Sequence, residues 1–325
     1  MRALLAMVLV WLAIPAAAHE VRPAYLEIIA ANMDGHRYDV VWKQPVLSGR
    51  RLSMTPVFGP DCERDGAIRS TITGNAVVER WAIACQAPLQ TVGVDGLDRT
   101  LTDVFVRVTD ADGDAHATLL RPTAASLDLT TTPASPARAY LGLGVEHILY
   151  GPDHLLFVTG IVLLLAPSGG WRRVVLAATA FTVAHSVTLA LAALGRLSLP
   201  SAPVEIMIAA SILLMAVEIM RVRRGRPSLV ARHPWPVIFA IGLLHGLGFA
   251  GALADIGLPA GAEAEALILF NVGIEIGQIG VVILLMGTMR LLSRIGERVP
   301  ARISVAATYM IGTAGAFWTL SRLAG

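Results

Sequence analysis

The segment "HILYGPDH", His147 to His154, lies within a long apolar stretch of the chain, and Glu146 directly precedes it. Ionisable side chains are costly inside a membrane span, so where they occur they usually mark a pathway or a binding site. Gly151-Pro152 adds a second signal, because proline removes a backbone donor and clashes with the preceding helical turn. The segment therefore predicts a kinked or broken helix that carries polar groups into an apolar environment.

The composition of the whole chain favours an integral membrane protein. Of its 325 residues, 55% are hydrophobic, and the mean hydropathy is +0.64, which soluble domains rarely reach. The formal net charge of +2 gives no reason to expect nucleic acid as a partner. Membrane lipid is therefore the first partner that the sequence predicts.

The first eighteen residues, MRALLAMVLVWLAIPAAA, have the parts of a secretory signal peptide. Arg2 supplies the positive charge, residues 4–14 form an apolar core too short to span a membrane, and the alanines at 16–18 fit the cleavage rule. An uncleaved anchor is the alternative. Cleavage after Ala18 would export the following residues and make His19 the mature N-terminus.

Residues 19–121 are polar and contain short β-like runs such as "RYDVVW" and "DVFVRVTD", separated by turn signals such as "DADGD". This spacing predicts a small extracytoplasmic antiparallel β-sandwich, immunoglobulin-like in general plan. Because an exported domain meets an oxidising environment, Cys62 and Cys85 are expected to form a disulfide, worth about 3 kcal/mol by the loop-entropy model. Residues 122–138 are rich in Pro, Ser, Thr and Ala and are predicted to be a linker.

The remainder, residues 139–325, consists mostly of apolar runs close to membrane-spanning length. Eleven arginines lie in three of the intervening loops, against two in the alternating loops and the C-terminal tail, which is the positive-inside pattern. We therefore predict an all-α polytopic bundle of six transmembrane helices, the first one kinked or broken, in the bacterial inner membrane. The β domain and the C-terminus would be extracytoplasmic. The predicted spans are 139–165, 173–194, 203–220, 235–254, 264–288 and 303–321.

Several ionisable residues fall at one depth when a helix rise of 1.5 Å per residue is applied from the arginine loops. His154 comes out about 18 Å from the inner boundary, His185 and Glu275 about 19 Å, and His245 about 15 Å. Asp153 is adjacent to His154. An isolated intramembrane histidine is often a packing residue, but three at one depth with carboxylates favour a shared site.

Other polar residues of the spans are predicted to be accessory to the central site. Glu146 and His147 come out about 10 Å nearer the outside, so His147 is predicted to be an entrance ligand unless the helix break folds it inward. Glu205 lies near the outer end and Glu218 near the inner end of the third span. Interfacial carboxylates are the simpler interpretation of these two, and entrance and exit stations are the alternative.

The fifth span contains "FNVGIEIGQ", which places Asn271, Glu275 and Gln278 on one helix face. A polar seam between helices explains Asn271 and Gln278 as well as a binding site does. Imidazole and carboxylate groups suit divalent Ni²⁺, Co²⁺, Zn²⁺ and Fe²⁺. The predicted spans contain no cysteine, which argues against a thiolate path for copper.

The motif "HILYGPDH", followed in order by "FTVAHSVTL", "HGLGFAG" and "FNVGIEIGQ", resembles the HupE/UreJ family of hydrogenase- and urease-associated membrane proteins, in the variant with an exported N-terminal domain. The resemblance covers nearly the whole membrane half and implies a nickel or cobalt permease. By this resemblance His147, Asp153 and His154 are metal residues. The motif is also similar to the H-x₄-D-H signature of the nickel/cobalt transporter family, but here five residues separate His147 from Asp153.

The exported domain offers a second location for metal. His19, as a free N-terminus, would provide an α-amine and an imidazole, a chelate suited to Cu²⁺ or Ni²⁺, and His36 and His116 could join it. The alternative is that these are surface histidines on a domain that docks a periplasmic metal-delivery partner or shields the pore.

The sequence favours a divalent transition-metal permease, nickel first, with cobalt, zinc and copper as alternatives. Uptake would run from periplasm to cytoplasm, driven by a gradient or by the membrane potential, since the sequence has no nucleotide-binding motif. The runner-up is an intramembrane zinc hydrolase with Glu275 or Asp153 as base. The number of buried ionisable groups weighs against a tethered binding module with purely structural spans. The predicted metal site consists of His147, Asp153, His154, His185, His245 and Glu275.

Overall fold

In this computed structural model, the described residues are 24–31, 36–47, 50–73, 76–100, 102–113, 115–130, 136–197, 199–256, 263–296 and 298–324. The predicted signal peptide (1–18) and His19 lie outside them.

The described residues of the N-terminal part form ten strands, which confirms the predicted strand-rich domain. The strands are β1 (Ala24–Ala30), β2 (Arg37–Leu47), β3 (Arg50–Arg51), β4 (Thr55–Phe58), β5 (Cys62–Thr73), β6 (Ala76–Cys85), β7 (Thr91–Asp95), β8 (Val104–Thr109), β9 (Ala115–Leu120) and β10 (Ser126–Asp128). The larger sheet has the order β5-β6-β2-β1-β8-β9, with β3 attached to β2, and the smaller has the order β10-β7-β4.

A shared hydrophobic core holds the two sheets together. Leu26 and Trp42 of the larger sheet belong to the same buried cluster as Val92 and Val94 of the smaller one. Alternate strand residues point to opposite faces of a sheet, so each strand gives one apolar face to this cluster. The arrangement agrees with the expected two-sheet plan.

Two details of this domain differ from the sequence prediction. β1 pairs with β8 in parallel, whereas an antiparallel sandwich was expected. The segment 126–128, predicted to be linker, is strand β10 and pairs with β7, because Leu127 covers an edge of the shared core. Cys62 and Cys85 lie directly opposite each other on β5 and β6 and form the predicted disulfide.

The C-terminal part is helical throughout its described residues. The helices are α1 (Pro136–Tyr150), α2 (Pro152–Ala193), α3 (Ser201–Arg223), α4 (Leu229–Arg232), α5 (Pro234–Ile256), α6 (Glu263–Ile295) and α7 (Arg298–Ala324). Four of the described helices, α2, α3, α6 and α7, are long and apolar enough to cross a membrane, and residues 234–248 of α5 form a shorter apolar helix. The chain is therefore a membrane protein.

Helix α2 is 42 residues long but folds back on itself. Gly170 interrupts it with φ 62° and ψ −168°, a conformation that favours glycine. The ring centroids of His154 and His185 are 5.8 Å apart, and those of Phe157 and Phe181 are 5.0 Å apart. A straight helix would separate His154 from His185 by about 46 Å. α2 is therefore an antiparallel hairpin with legs 152–169 and 171–193.

The arginine-bearing turns meet on one side of the bundle. Arg173, just after the Gly170 turn, donates to the carbonyl of Ala231 in α4 at 3.1 Å. Arg223 at the end of α3 donates to the carbonyl of Ala301 in α7 at 3.2 Å. These bonds connect the three arginine-rich segments, as the positive-inside pattern requires.

An aromatic contact attaches the strand domain to the opposite side of the bundle. The Phe105 ring lies between Tyr25, at 6.1 Å, and Tyr140 of α1, at 5.5 Å between ring centroids. Burial, with the nearby Glu27 carboxylate, raises the pKa of the Tyr25 hydroxyl. The ion pair of Arg121 with Glu146 adds a second link between the domain and α1.

Candidate metal site

The helix break predicted at Gly151-Pro152 is confirmed. α1 ends at Tyr150, Gly151 has an extended conformation, and Pro152 is the first residue of α2. Proline suits this position because the first helical residue needs no backbone donor. A Cβ atom at Gly151 would come within 2.6 Å of the His147 carbonyl and 2.8 Å of His154 Nδ1. The lack of a side chain therefore lets the two halves of the motif approach each other.

The break folds His147 inward. Its ring centroid is 4.5 Å from that of His154 and 5.7 Å from that of His185. Seven residues of unbroken helix would separate His147 from His154 by about 10 Å along the axis. The depth estimate that placed His147 in an outer layer is thus wrong, because it assumed one continuous helix. His147 belongs with the central histidines.

A fourth histidine completes the cluster from helix α5. The ring centroid of His245 is 5.2 Å from that of His154 and 5.2 Å from that of Phe181. Gly242 and Gly246 allow α5 to pack closely, since a Cβ at Gly242 would lie 2.5 Å from the Phe181 carbonyl and one at Gly246 would collide with the His185 carbonyl. Small residues thus bring the helix backbones together, as expected for membrane helices.

Two groups of three side chains have the geometry to hold a metal ion within the described part of the chain. His147, His154 and His185 form one group, and Asp153, His154 and His245 form the other. In each group, one potential ligand atom per residue lies within 4.8 Å of the others. His154 belongs to both groups, so the two candidate positions overlap.

Several ring nitrogens of the cluster lack hydrogen-bond partners within the described residues. They are both nitrogens of His185, Nε2 of His154 and Nδ1 of His245, and all of them are buried. Buried polar atoms are nearly always hydrogen bonded, and an unsatisfied one costs about 1–3 kcal/mol. Such a concentration of unsatisfied donors and acceptors in one place indicates a binding site.

The remaining nitrogens show how the rings are oriented. His154 Nδ1 lies 3.1 Å from Asp153 Oδ1, which leaves Nε2 facing the cluster. His245 Nε2 lies 3.1 Å from the hydroxyl of Ser211 on α3. A carboxylate or hydroxyl on one ring nitrogen fixes the orientation of the other, an arrangement common around metal-binding histidines.

Sequence reasoning missed Ser211 and the aromatic residues around the cluster. Ser211 is the only hydroxyl residue in the predicted span 203–220, and this signal could have indicated its role. The rings of Phe157 and Phe181 pack against His245. An aromatic residue in an apolar span gives no comparable signal.

The hydroxyls around His185 do not orient its ring. Ser186 Oγ lies 2.5 Å from Asn271 Oδ1, Thr182 donates to Gln278 Oε1 at 2.7 Å, and Thr188 donates to the Leu243 carbonyl at 2.7 Å. Asn271 and Gln278 therefore belong to a polar seam between the second leg of α2 and helix α6. Hydrogen bonds of this kind are a general means of pairing membrane helices.

Glu275 lies in the same seam, between Asn271 and Gln278 on α6. Its Oε1 accepts a 2.6 Å hydrogen bond from Thr179. Asn271 and Gln278 pair with Ser186 and Thr182, which lie on either side of His185 along the second leg of α2. The predicted depth of Glu275 beside His185 and its metal role both stay predictions.

The other acidic candidates have structural partners. Glu218 accepts hydrogen bonds from the Ser228 hydroxyl at 2.6 Å and the Val230 amide at 3.0 Å, at the start of α4. Glu205 lies 3.7 Å from Arg322, and Glu146 is paired with Arg121. These contacts favour a structural interpretation over entrance and exit stations.

The candidate capture histidines of the strand domain are not brought together where the structure describes them. His36 Nδ1 lies 3.2 Å from the Cys85 carbonyl, beside β2. His116 is on β9, which is three strands away from β2 in the larger sheet, a distance of about 14 Å. Through the intervening strands His116 is in register with Val40 and not with the start of β2, where His36 lies. His19 lies outside the described residues.

The fold and the cluster together define a polytopic membrane protein with a candidate intramembrane site for a divalent metal ion. A protein-family model described as HupE / UreJ protein matches residues 123–322, more than half of the 325-residue chain. The chain therefore belongs to the HupE/UreJ family, and this membership suggests transport of nickel or cobalt. No curated protein and no solved structure matches the chain.

Proposed function

We propose that this protein is a permease that moves a divalent transition-metal ion, nickel first and cobalt next, from the periplasm to the cytoplasm. The observation that carries the proposal is the concentration of buried, unsatisfied imidazole nitrogens around His154. Neutral imidazole with a carboxylate is a donor set that Ni²⁺, Co²⁺ and Zn²⁺ accept. Family membership supports nickel or cobalt among these ions.

The two overlapping groups suggest two successive positions for the ion. The first is His147, His154 and His185, and the second is Asp153, His154 and His245. Passing an ion between positions that share His154 replaces ligands without exposing the ion to the hydrocarbon. Because the second group adds a carboxylate, it would partly neutralise the charge of the ion.

The order of the two positions follows from the aromatic neighbours. His245 packs against Phe157 and Phe181, each about one helical turn nearer the arginine-rich side than His154 and His185. The group that contains His245 is therefore the inner one. The Phe157 and Phe181 rings, 5.0 Å apart and fully buried, close the path beyond it, so their movement would accompany release of the ion.

The membrane arrangement that we propose has six spans. α1 with the first leg of α2 forms a broken first span, and the second leg, α3, α5, α6 and α7 form the others. The meeting of the arginine-bearing turns on one side supports a cytoplasmic location for that side. The strand domain and the C-terminus would then be periplasmic, in the inner membrane.

The intramembrane zinc hydrolase receives no specific support. Glu275, one of the two carboxylates considered as a base, is bonded to Thr179 and belongs to neither three-residue group. Asp153, the other, belongs to the second group, where it would be a ligand of the ion rather than a free base.

The proposal is tested by nickel uptake into proteoliposomes that contain the purified full-length protein. His154→Ala removes the ligand common to both groups, so uptake should fall by at least about 100-fold, the upper range for loss of a residue that only orients a metal ligand. The matched control is His233→Ala, which removes an exposed histidine outside the cluster and should leave uptake unchanged. Glu275→Gln keeps an acceptor for Thr179 and removes the negative charge. Loss of uptake in this variant would indicate a role in the metal path, and unchanged uptake would indicate a role in the polar seam only.

Unchanged uptake in His154→Ala would show that the assigned site is wrong. Tight, stoichiometric retention of zinc without any transport would instead refute the permease. If Co²⁺, Zn²⁺ or Cu²⁺ inhibits the uptake of labelled nickel more strongly than unlabelled nickel does, that ion rather than nickel is the preferred substrate.

A further inference from the structure

An apolar groove of about 930 Å³ runs between helices α3 and α7, on the outer surface of the bundle. The helices touch at its floor, where a Cβ at Gly312 would lie 3.2 Å from Ala216 Cβ. Val217, Tyr309 and Phe317 stand exposed along its walls. Small residues at the floor and large ones at the rim therefore leave a furrow that faces the surrounding membrane.

The groove is separate from the histidine cluster. Ser211, which contacts His245, lies on the face of α3 roughly 180° away from Leu213, Ala216 and Met220, taken at 100° per residue. The residues that line the groove are thus not part of the metal path.

The length of the groove along the helices matches the hydrocarbon thickness of one leaflet of a bilayer. Along α3 it extends from Leu213 to Arg224, about 16 Å of helix, and along α7 from Thr308 to Phe317, about 14 Å. The hydrocarbon core of a bilayer is about 30 Å thick, so half of it is about 15 Å. The groove therefore begins near the membrane midplane and ends at the depth of the head groups.

The end of the groove at head-group depth is basic. Arg221, Arg224 and Arg226 line it, all exposed. Arg221 lies 3.6 Å from the Glu218 carboxylate. Among the residues that the structure describes, Arg224 and Arg226 have no carboxylate within 4.0 Å, so their charge is available to a ligand.

We infer that this groove binds one anionic phospholipid of the arginine-side leaflet, with an acyl chain along α3 and α7 and the phosphate beside Arg224 and Arg226. A lipid combines an apolar chain of about one leaflet in length with a charge at its end, which is the distribution of the groove. A second copy packed symmetrically on this groove would present its own α3 and α7, and it would need an acidic group opposite the arginines. In the described part of these two helices only Glu205 and Glu218 are acidic, and both are already paired. The inference does not depend on the proposed transport of metal.

The test is titration of the purified full-length protein with phosphatidylglycerol or phosphatidylcholine, with bound lipid counted by native mass spectrometry. Arg224→Gln with Arg226→Gln should weaken phosphatidylglycerol binding roughly 30-fold, on the scale of one lipid-facing arginine each. The control, Arg290→Gln with Arg294→Gln, removes the same charge from exposed arginines of α6 outside the groove and should change binding little. Thr313→Trp fills the groove at an exposed position and should weaken binding of both lipids.

Equal loss of phosphatidylglycerol in the two double variants would mean general attraction to a basic surface, and the specific site would be rejected. Full binding by Thr313→Trp would also reject it, because the acyl chain would then lie elsewhere. A wild-type dimer that Thr313→Trp converts to monomers, with no lipid preference in either, would assign the groove to a second copy of the chain.

Discussion

Glu218 and His185 are both ionisable, both buried in the helical bundle, and exposed to 1% and 0% respectively. Their surroundings differ in one respect. The Glu218 carboxylate accepts from Ser228 and Val230 and lies beside Arg221, whereas both ring nitrogens of His185 lack a hydrogen-bond partner among the described residues. Burial alone therefore does not separate a structural residue from a functional one.

The difference teaches that hydrogen-bond satisfaction is the more informative property. A satisfied buried carboxylate contributes to stability, and its removal leaves its donors unpaired. An unsatisfied buried imidazole costs stability in the absence of a ligand, so replacement by an apolar ring of similar shape should not harm the fold. Substitutions of the two residues should consequently have opposite consequences for folding and transport.

The largest effect is expected for His185→Phe. Nickel uptake in proteoliposomes should fall by at least about 100-fold, the upper range for loss of a residue that only orients a metal ligand, because the three-histidine group loses a ligand itself. The thermal unfolding midpoint should stay level or rise, since two unsatisfied nitrogens are removed and Phe181 already stacks on this position at 6.0 Å. A variant that unfolds more easily and still transports nickel would reverse the comparison.

An intermediate effect is expected for Gly151→Ala. The added Cβ would meet the His147 carbonyl at 2.6 Å and His154 Nδ1 at 2.8 Å, so the rings should move apart. A misplacement of about 1 Å in a reactive site costs up to about 100-fold, and uptake should fall between tenfold and that limit. The control is Gly142→Ala on α1, whose Cβ would contact nothing within 4 Å and which should transport normally. Normal transport by Gly151→Ala would show that close approach of the two histidines is not required.

The smallest effect is expected for Glu218→Ala, which should lower the free energy of unfolding by about 1–3 kcal/mol because Ser228 and Val230 lose their acceptor. Transport per folded molecule should be unchanged. Glu205→Ala is the matched control, since its pair with Arg322 is partly exposed and should be worth at most about 1 kcal/mol. Denaturant titration compares the two variants, and a loss of transport in the folded Glu218→Ala protein would restore Glu218 as a station on the path.

Much of the membrane fold could be predicted because lipid imposes simple rules. The break at Gly151-Pro152 follows from the chemistry of proline, and the disulfide of Cys62 with Cys85 was expected from the predicted signal peptide and the oxidising compartment that such a peptide would imply. The parallel pairing of β1 with β8 joins segments about 80 residues apart, and no local pattern specifies it.

The site was only partly predictable because depth along a helix is not position in space. The depth estimate from the helix rise grouped His154, His185 and His245 correctly, since their helices pack side by side. It misplaced His147, because the break at Gly151-Pro152 folds this residue back towards His154. The error comes from tertiary geometry, which a rise per residue along one helix axis does not contain.

The hairpin at Gly170 also has a consequence for biosynthesis. His154 and His185 face each other within one continuous segment, residues 152–193, so this pair needs no later helix to meet. Since chains fold progressively from the N-terminus during synthesis, half of the cluster is expected to assemble as soon as this segment has inserted. His245 joins about 50 residues later, when α5 has been made. The order of synthesis would thus build the outer metal position before the inner one.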